Sequence, residues 1–203
     1  MPSAENIQQY LTGAWRMMMG KADGLRLLDL SADGFWNSFF AMVIALPALI
    51  VGWVGVTNEL SALSGAFGSK LSILVRLAVI DLATWVVPLV ALAAVASRVG
   101  IGDRFVALVV ASNWASALFV WIMLPASLMG LIWPAASDTS SVVSLFLFVL
   151  SMVLSWRMTN VAIGRGPALA SAVFIGMFLV SLATLLIMQS ALGLTAPAQV
   201  PVE

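Results

Sequence analysis

The chain of 203 residues has no cysteine and no histidine, and only 9% of it is charged. Without cysteine there is no disulfide and no thiolate nucleophile. Without histidine there is no imidazole base and no histidine-held haem, and the usual zinc ligand sets are missing. Walker loops, GxSxG and HExxH are absent too, and no acidic pair lies where it would hold a catalytic metal in the membrane. The sequence therefore predicts no enzyme, no metal site and no cofactor. The nine basic and nine acidic side chains cancel. No basic run or nucleic-acid module occurs, so a nucleic-acid partner is not expected. The first twenty residues lack the basic and then apolar layout of a cleavable signal peptide.

What the chain does have is apolar surface. Hydrophobic residues make up 62% of it, against roughly 45–50% in soluble domains, where charged residues are roughly 25%. So little polar surface cannot cover a soluble core of this size, and a lipid bilayer is the expected solvent and first partner. A span needs about 20 apolar residues to cross roughly 30 Å of hydrocarbon. Five segments meet that need, at about 35–56, 71–96, 105–124, 142–158 and 168–192. Backbone groups in lipid must be satisfied within closed structures. The run VALVVASNWASALFVWIML does not alternate as a barrel strand would. The fold class predicted is all-α: an integral membrane bundle of five transmembrane helices with an N-terminal amphipathic interfacial helix. Residues 1–34 form the cytoplasmic segment, 35–193 the transmembrane domain, and 194–203 a short outer tail.

Orientation follows from lysine and arginine. Arg16, Lys21, Arg26, Arg98, Arg104, Arg157 and Arg165 fall in the N-terminal segment and alternate connections, and Lys70 stands alone on the other side. This distribution predicts a multi-pass protein of the cell inner (plasma) membrane, with the N-terminus cytoplasmic and the C-terminus outside. Trp36 and Trp156 fall at predicted inner ends, and Trp53, Trp121 and Trp133 near outer ends, as interfacial indoles do. Trp85 and Trp114 fall deeper and suit helix packing.

Before the first span, Ile7, Tyr10, Leu11, Ala14, Trp15 and Met18 share one helical face. Ser3 suits the N-cap and Glu5 the first turn. Ile7, Tyr10, Leu11, Trp15 and Met18 are the candidate membrane or partner surface. The alternative is that the stripe packs on the protein's own loops. Ser31 is the expected cap of the first span.

Asp81 is the main intramembrane candidate. A charge near the bilayer centre costs about 2.5–3.5 kcal/mol on insertion scales, so such residues face a bundle interior or a wet cavity. Arg76, five residues earlier, is poorly placed to pair with it and can snorkel outward. Asp81 lies roughly 16 Å from Lys70, and Asn113 roughly 13 Å from Arg104, by helical rise. The two depths nearly coincide, which predicts that Asp81 faces Asn113, with Ser112, Ser116 and Thr84 beside them. The bland reading of this group is polar glue between helices.

Pro47, Pro88 and Pro125 interrupt three spans. Pro125 is expected to end the regular part of the third, with PASLMGLIWP dipping back toward the outer interface. Ala168, Ala172 and Gly176, and Ser151 and Ser155, have the four-residue spacing of close helix packing, which raises self-association into a homo-oligomer as a hypothesis.

A cytoplasmic amphipathic start, five close spans and a scant outer tail resemble the Yip family, the Ypt-interacting five-span membrane proteins. Eukaryotic members carry a DLYGP-like motif before the first span. Here the nearest stretch is Asp29-Leu30-Ser31-Ala32-Asp33-Gly34, without the tyrosine and the proline. The resemblance implies a non-enzymatic role in membrane organisation or recruitment of a membrane-protein partner. The alternative is a small transporter or channel subunit built around Asp81 and Asn113. A wet cavity reaching Asp81 favours transport, and a closed bundle with a free stripe on the N-terminal helix favours recruitment.

Overall fold

The computed structural model describes residues 1–62, 67–133 and 137–194. Among the described residues seven α-helices run in chain order: α1 (Ala4–Met18), α2 (Ala32–Ser38), α3 (Ala41–Ala62), α4 (Lys70–Val95), α5 (Phe105–Ile132), α6 (Ser137–Ile163) and α7 (Pro167–Ala191). A 3-10 turn at Ala22–Leu27 links α1 to α2. Five helices are long and apolar enough to cross a membrane, α2 and α3 together making the first. Val75, Val90, Phe146, Val149, Leu179 and Leu186 point outward and are well exposed. In water that belt would be an aggregation surface; in a bilayer it is the lipid contact. The fold is thus the all-α membrane bundle that composition demands. The proposed outer tail lies outside the described residues beyond Leu194.

The five spanning helices pack in a ring. α3 neighbours α5, α5 neighbours α6, α6 neighbours α7, α7 neighbours α4, and α4 closes back on α3. One end of the ring carries Arg98, Arg104, Arg157 and Arg165 and is called the arginine face below; Lys70 marks the opposite face. At the arginine face the ring is filled. Leu92, Ala96, Leu108, Met158, Ala162 and Ile163 are all buried in one core with α1.

That core claims the N-terminal stripe. Ser3 caps α1, its hydroxyl accepting from the Asn6 amide at 3.2 Å. α1 then lies against α5 and α6. Tyr10, Ala14, Met17 and Met18 are buried, and the Tyr10 ring sits 5.3 Å from that of Trp114. Of the candidate membrane or partner surface, Tyr10 and Met18 are therefore core residues, Ile7 and Leu11 are half-buried, and only Trp15 stays exposed. The stripe serves the protein's own bundle, because the α5–α6 side offers apolar surface that its spacing matches.

Two close approaches fix α1. A Cβ on Gly13 would stand 2.8 Å from the Gly24 carbonyl, and one on Gly24 only 2.4 Å from the Gly13 carbonyl. The 3-10 turn can lie on α1 only because both positions lack a side chain. At the other end of α1 the Arg157 guanidinium donates to the Met19 carbonyl at 2.6 Å, next to Gly20 at positive φ. This satisfies a helix-terminal carbonyl and places positive charge at the negative end of the dipole. Burial, with the Asp29 carboxylate adding to it, raises the Tyr10 phenol above its ordinary pKa.

The prolines do not end their helices. Pro47, Pro88 and Pro125 lie inside α3, α4 and α5. α5 runs through Pro125 to Ile132, so the described part of PASLMGLIWP continues the helix and does not turn back; Pro134 lies outside the described residues. A proline removes one intrahelical bond, which neighbouring helices can re-satisfy in a membrane. Near Pro47 the Trp121 indole donates to the Ile44 carbonyl at 3.0 Å, one residue along from the Val43 carbonyl that the proline leaves without its amide.

The four-residue spacings also act differently from expectation. Ala172 and Gly176 are exposed, line an apolar groove of about 300 Å³ between α4 and α7, and a Cβ on Gly176 would meet nothing within 4 Å. Within the chain they leave space between α4 and α7.

Candidate functional site

Away from the arginine face the ring is hollow. A cavity of about 910 Å³ opens between all five spanning helices. That is near the upper end of the range for small-molecule sites. Among the described residues Asp81 and Glu59 are the ionisable side chains on its wall, and no lysine or arginine lines it. Trp53, Phe119, Met123, Phe148 and Met152 supply aromatic and thioether surface, and Ser127, Ser144, Ser151 and Gln189 supply neutral polar groups.

Asp81 does not face Asn113. Its Oδ2 accepts from the Trp53 indole N–H on α3 at 2.6 Å. Trp53 is thus an internal donor and not an interfacial residue. The indole thereby fixes one carboxyl oxygen of Asp81. Asp81 is half-buried and its group borders the cavity. Arg76 makes no ion pair among the described residues; its guanidinium lies 4.0 Å from where a Gly68 Cβ would stand. It reaches toward the Lys70 face, as snorkelling predicts.

Asn113 is fully buried and belongs to a different polar group. Its Oδ1 accepts from the Trp85 indole at 2.9 Å, and its Nδ2 donates to the Ser38 hydroxyl at 2.8 Å. Ser38 in turn donates to the Phe35 carbonyl. Because α4 and α5 are not ring neighbours, the Trp85–Asn113 bond crosses the interior. Thr84, Ser112 and Ser116 lie with Asn113 on a second, smaller cavity of about 260 Å³, and the Thr84 hydroxyl donates back to the Ile80 and Asp81 carbonyls. The six intramembrane candidates are therefore divided. Asp81 lines the large cavity, Asn113, Thr84, Ser112 and Ser116 the small one, and Arg76 neither.

Helical rise estimates depth along a span but carries no azimuth. Two residues level in the membrane meet only if their helices turn the right faces to each other. Sequence reading missed both indole partners. The available signal was that the first and second spans each hold an indole donor, Trp53 and Trp85, and the second and third each hold a strong acceptor, Asp81 and Asn113. It also missed the role of α6. Ser140, Ser144, Ser151, Ser155 and Thr159 follow helical spacing, and each lines a cavity. Ser151 and Ser155 are wall residues more than packing contacts.

Among the described residues no cluster of acidic side chains is arranged to hold a metal ion. Compared with family models, curated proteins and solved structures, the chain matches none.

Proposed function

We propose that this chain is a small membrane transport protein that takes a small organic cation into the large cavity at Asp81. The single observation that carries this reading is the roughly 910 Å³ hollow walled by all five spanning helices and reaching a carboxylate that no basic side chain neutralises. An unpaired charge inside a bundle is costly and marks an ion or substrate path by default. Negative charge with aromatic walls suits a cation carrying apolar substituents, which gains from both the carboxylate and the ring faces. The arginine face lies in the cytoplasm of a cell inner (plasma) membrane, with the N-terminus inside and the C-terminus outside; seven basic residues against one support this. The large cavity then opens away from the cytoplasm. The second reading is the recruitment role that the Yip resemblance implies; the burial of Tyr10, Ala14, Met17 and Met18 leaves less of the α1 stripe free and so favours transport over it.

The test is uptake of labelled tetraethylammonium by proteoliposomes holding the full chain. The expected result is protein-dependent uptake that falls about tenfold in Asp81→Asn, a loss of about 1.4 kcal/mol of recognition. Uptake no faster than in empty vesicles, or unchanged in Asp81→Asn, would overturn the reading.

A further inference from the structure

Phe119, Met152 and Ser155 line both cavities. The large and small hollows therefore meet at one shared wall, and two of its three residues are bulky and apolar. We infer that the small cavity is a second cation site on a single route through the ring, with Phe119 and Met152 as the barrier between the two. This rests on the transport reading above.

Three observations support it. First, α6 lines both hollows without interruption, from Ser140 to Thr159. Nineteen helical steps cover roughly 28 Å, close to the full hydrocarbon thickness. Its polar face follows the hollow for that whole distance, whereas its outward face carries Leu145, Phe146, Val149 and Val153, all exposed. Second, the small cavity has the chemistry of a transit site. Ser112, Ser116, Ser155, Thr159 and Ser181 surround it with hydroxyls, and no ionisable side chain lines it. Trp85, Phe174 and Phe178 add ring faces. A cation there meets neutral oxygens and aromatic faces but no carboxylate, so it binds more weakly than at Asp81. A route needs sites weak enough to leave as well as strong enough to enter. Third, the far end of the small cavity is stopped. Leu92, Leu108 and Ala162, buried in the core, lie about one helical turn beyond its lining residues Leu89, Ser112 and Thr159 on the arginine side. The route so inferred begins in the large cavity, narrows at Phe119 and Met152 and ends at the core beneath the arginine face.

The absence of cysteine makes the route directly testable. Single cysteines are placed at Ser144, in the large cavity, and at Ser116, in the small one. A membrane-impermeant methanethiosulfonate carrying a trimethylammonium head is then applied from the Lys70 side. Ser144→Cys is expected to react about tenfold faster than Ser116→Cys, and Phe119→Ala to bring Ser116→Cys up by about the same factor, roughly 1.4 kcal/mol of barrier. Tetraethylammonium should slow the reaction at Ser116→Cys once the barrier is removed. Met152→Ala makes the same test from the other side of the wall and replaces Phe119→Ala should that variant fail to fold. If Ser144→Cys reacts but Ser116→Cys is not released by either substitution, the two cavities are separate and this inference falls while the large cavity stands. Equal rates in the parent chain would overturn the barrier, and reaction at Ser116→Cys without protection would overturn the second site. If Ser144→Cys itself is inert, the large cavity is closed to water and the transport reading falls first.

Discussion

The two ends of the helix ring are built in opposite ways. At the arginine face, charge is used as clasp. Arg16 pairs with Asp23, Arg157 holds the end of α1, and Arg165 bonds both the Gly100 carbonyl and Asp103, the latter at 2.8 and 2.9 Å. Beneath these clasps lies a filled core of α1, α4, α5, α6 and α7. Toward the Lys70 face the helices diverge around the large cavity, and a smaller buried cluster of Phe67, Ile73, Ile80 and Leu194 lies beside it. Basic residues thus tie this end of the bundle together. Order is concentrated at one end, which leaves the other end free to hold a hollow.

The sharpest way to break this comparison is to change side-chain volume at each end in turn. Trp114 is 1% exposed and stacks near Tyr10. Trp114→Ala is expected to cost about 3–5 kcal/mol and to lower the unfolding temperature in detergent, seen by circular dichroism. Ser127→Leu, on the wall of the large cavity, is expected to stay within about 0.5 kcal/mol of the parent. Equal losses at the two positions would mean that the ends do not differ in this way.

A smaller effect is expected from the clasps. Arg165→Ala removes an exposed ion pair with Asp103 and a bond to the α4–α5 connection. It should cost about 0.5–1 kcal/mol and raise hydrogen exchange around Gly100 without reaching the cavity walls. Exchange that rises equally at Trp53 and Asp81 would show the two ends to be coupled.

The smallest effect is the response to acid. The Arg16 hydrogen bond holds the Asp23 carboxyl below its ordinary pKa. A carboxyl whose folded pKa is depressed adds stability that is complete above its unfolded value and is lost as pH falls through the folded one. Docking of the 3-10 turn on α1 should therefore loosen only in the acid range below the normal aspartate pKa. Trp15, exposed on α1, reports it by fluorescence. Asp23→Asn should abolish the acid step; a step that persists unchanged belongs to another group.

Much of this architecture was legible from the residues. Length and hydropathy specify five spans because lipid leaves the backbone few alternatives, and Ser3 and Ser31 announce their helix starts through local chemistry. Asp81 was legible as the costly group. Its partner was not, because ring order sets which faces meet and nothing in a single span encodes it. The same gap explains Pro125, whose cost depends on what lies beside the helix, and the α1 stripe, whose spacing fits a membrane surface and a neighbouring helix pair equally well. The α6 hydroxyls were visible as a spacing, but small polar residues pack helices and line hollows with the same period.

The bond from Arg157 to the Met19 carbonyl joins residues 138 positions apart. During synthesis the first helix emerges long before its clasp exists. Until the fourth spanning segment has inserted, α1 has neither its guanidinium nor the α6 half of its seat. Its apolar side must wait, either on the bilayer surface or under a chaperone. Seating of the N-terminus is then a late event in biogenesis, and a chain interrupted before α6 would carry an undocked amphipathic helix that quality-control proteases can recognise.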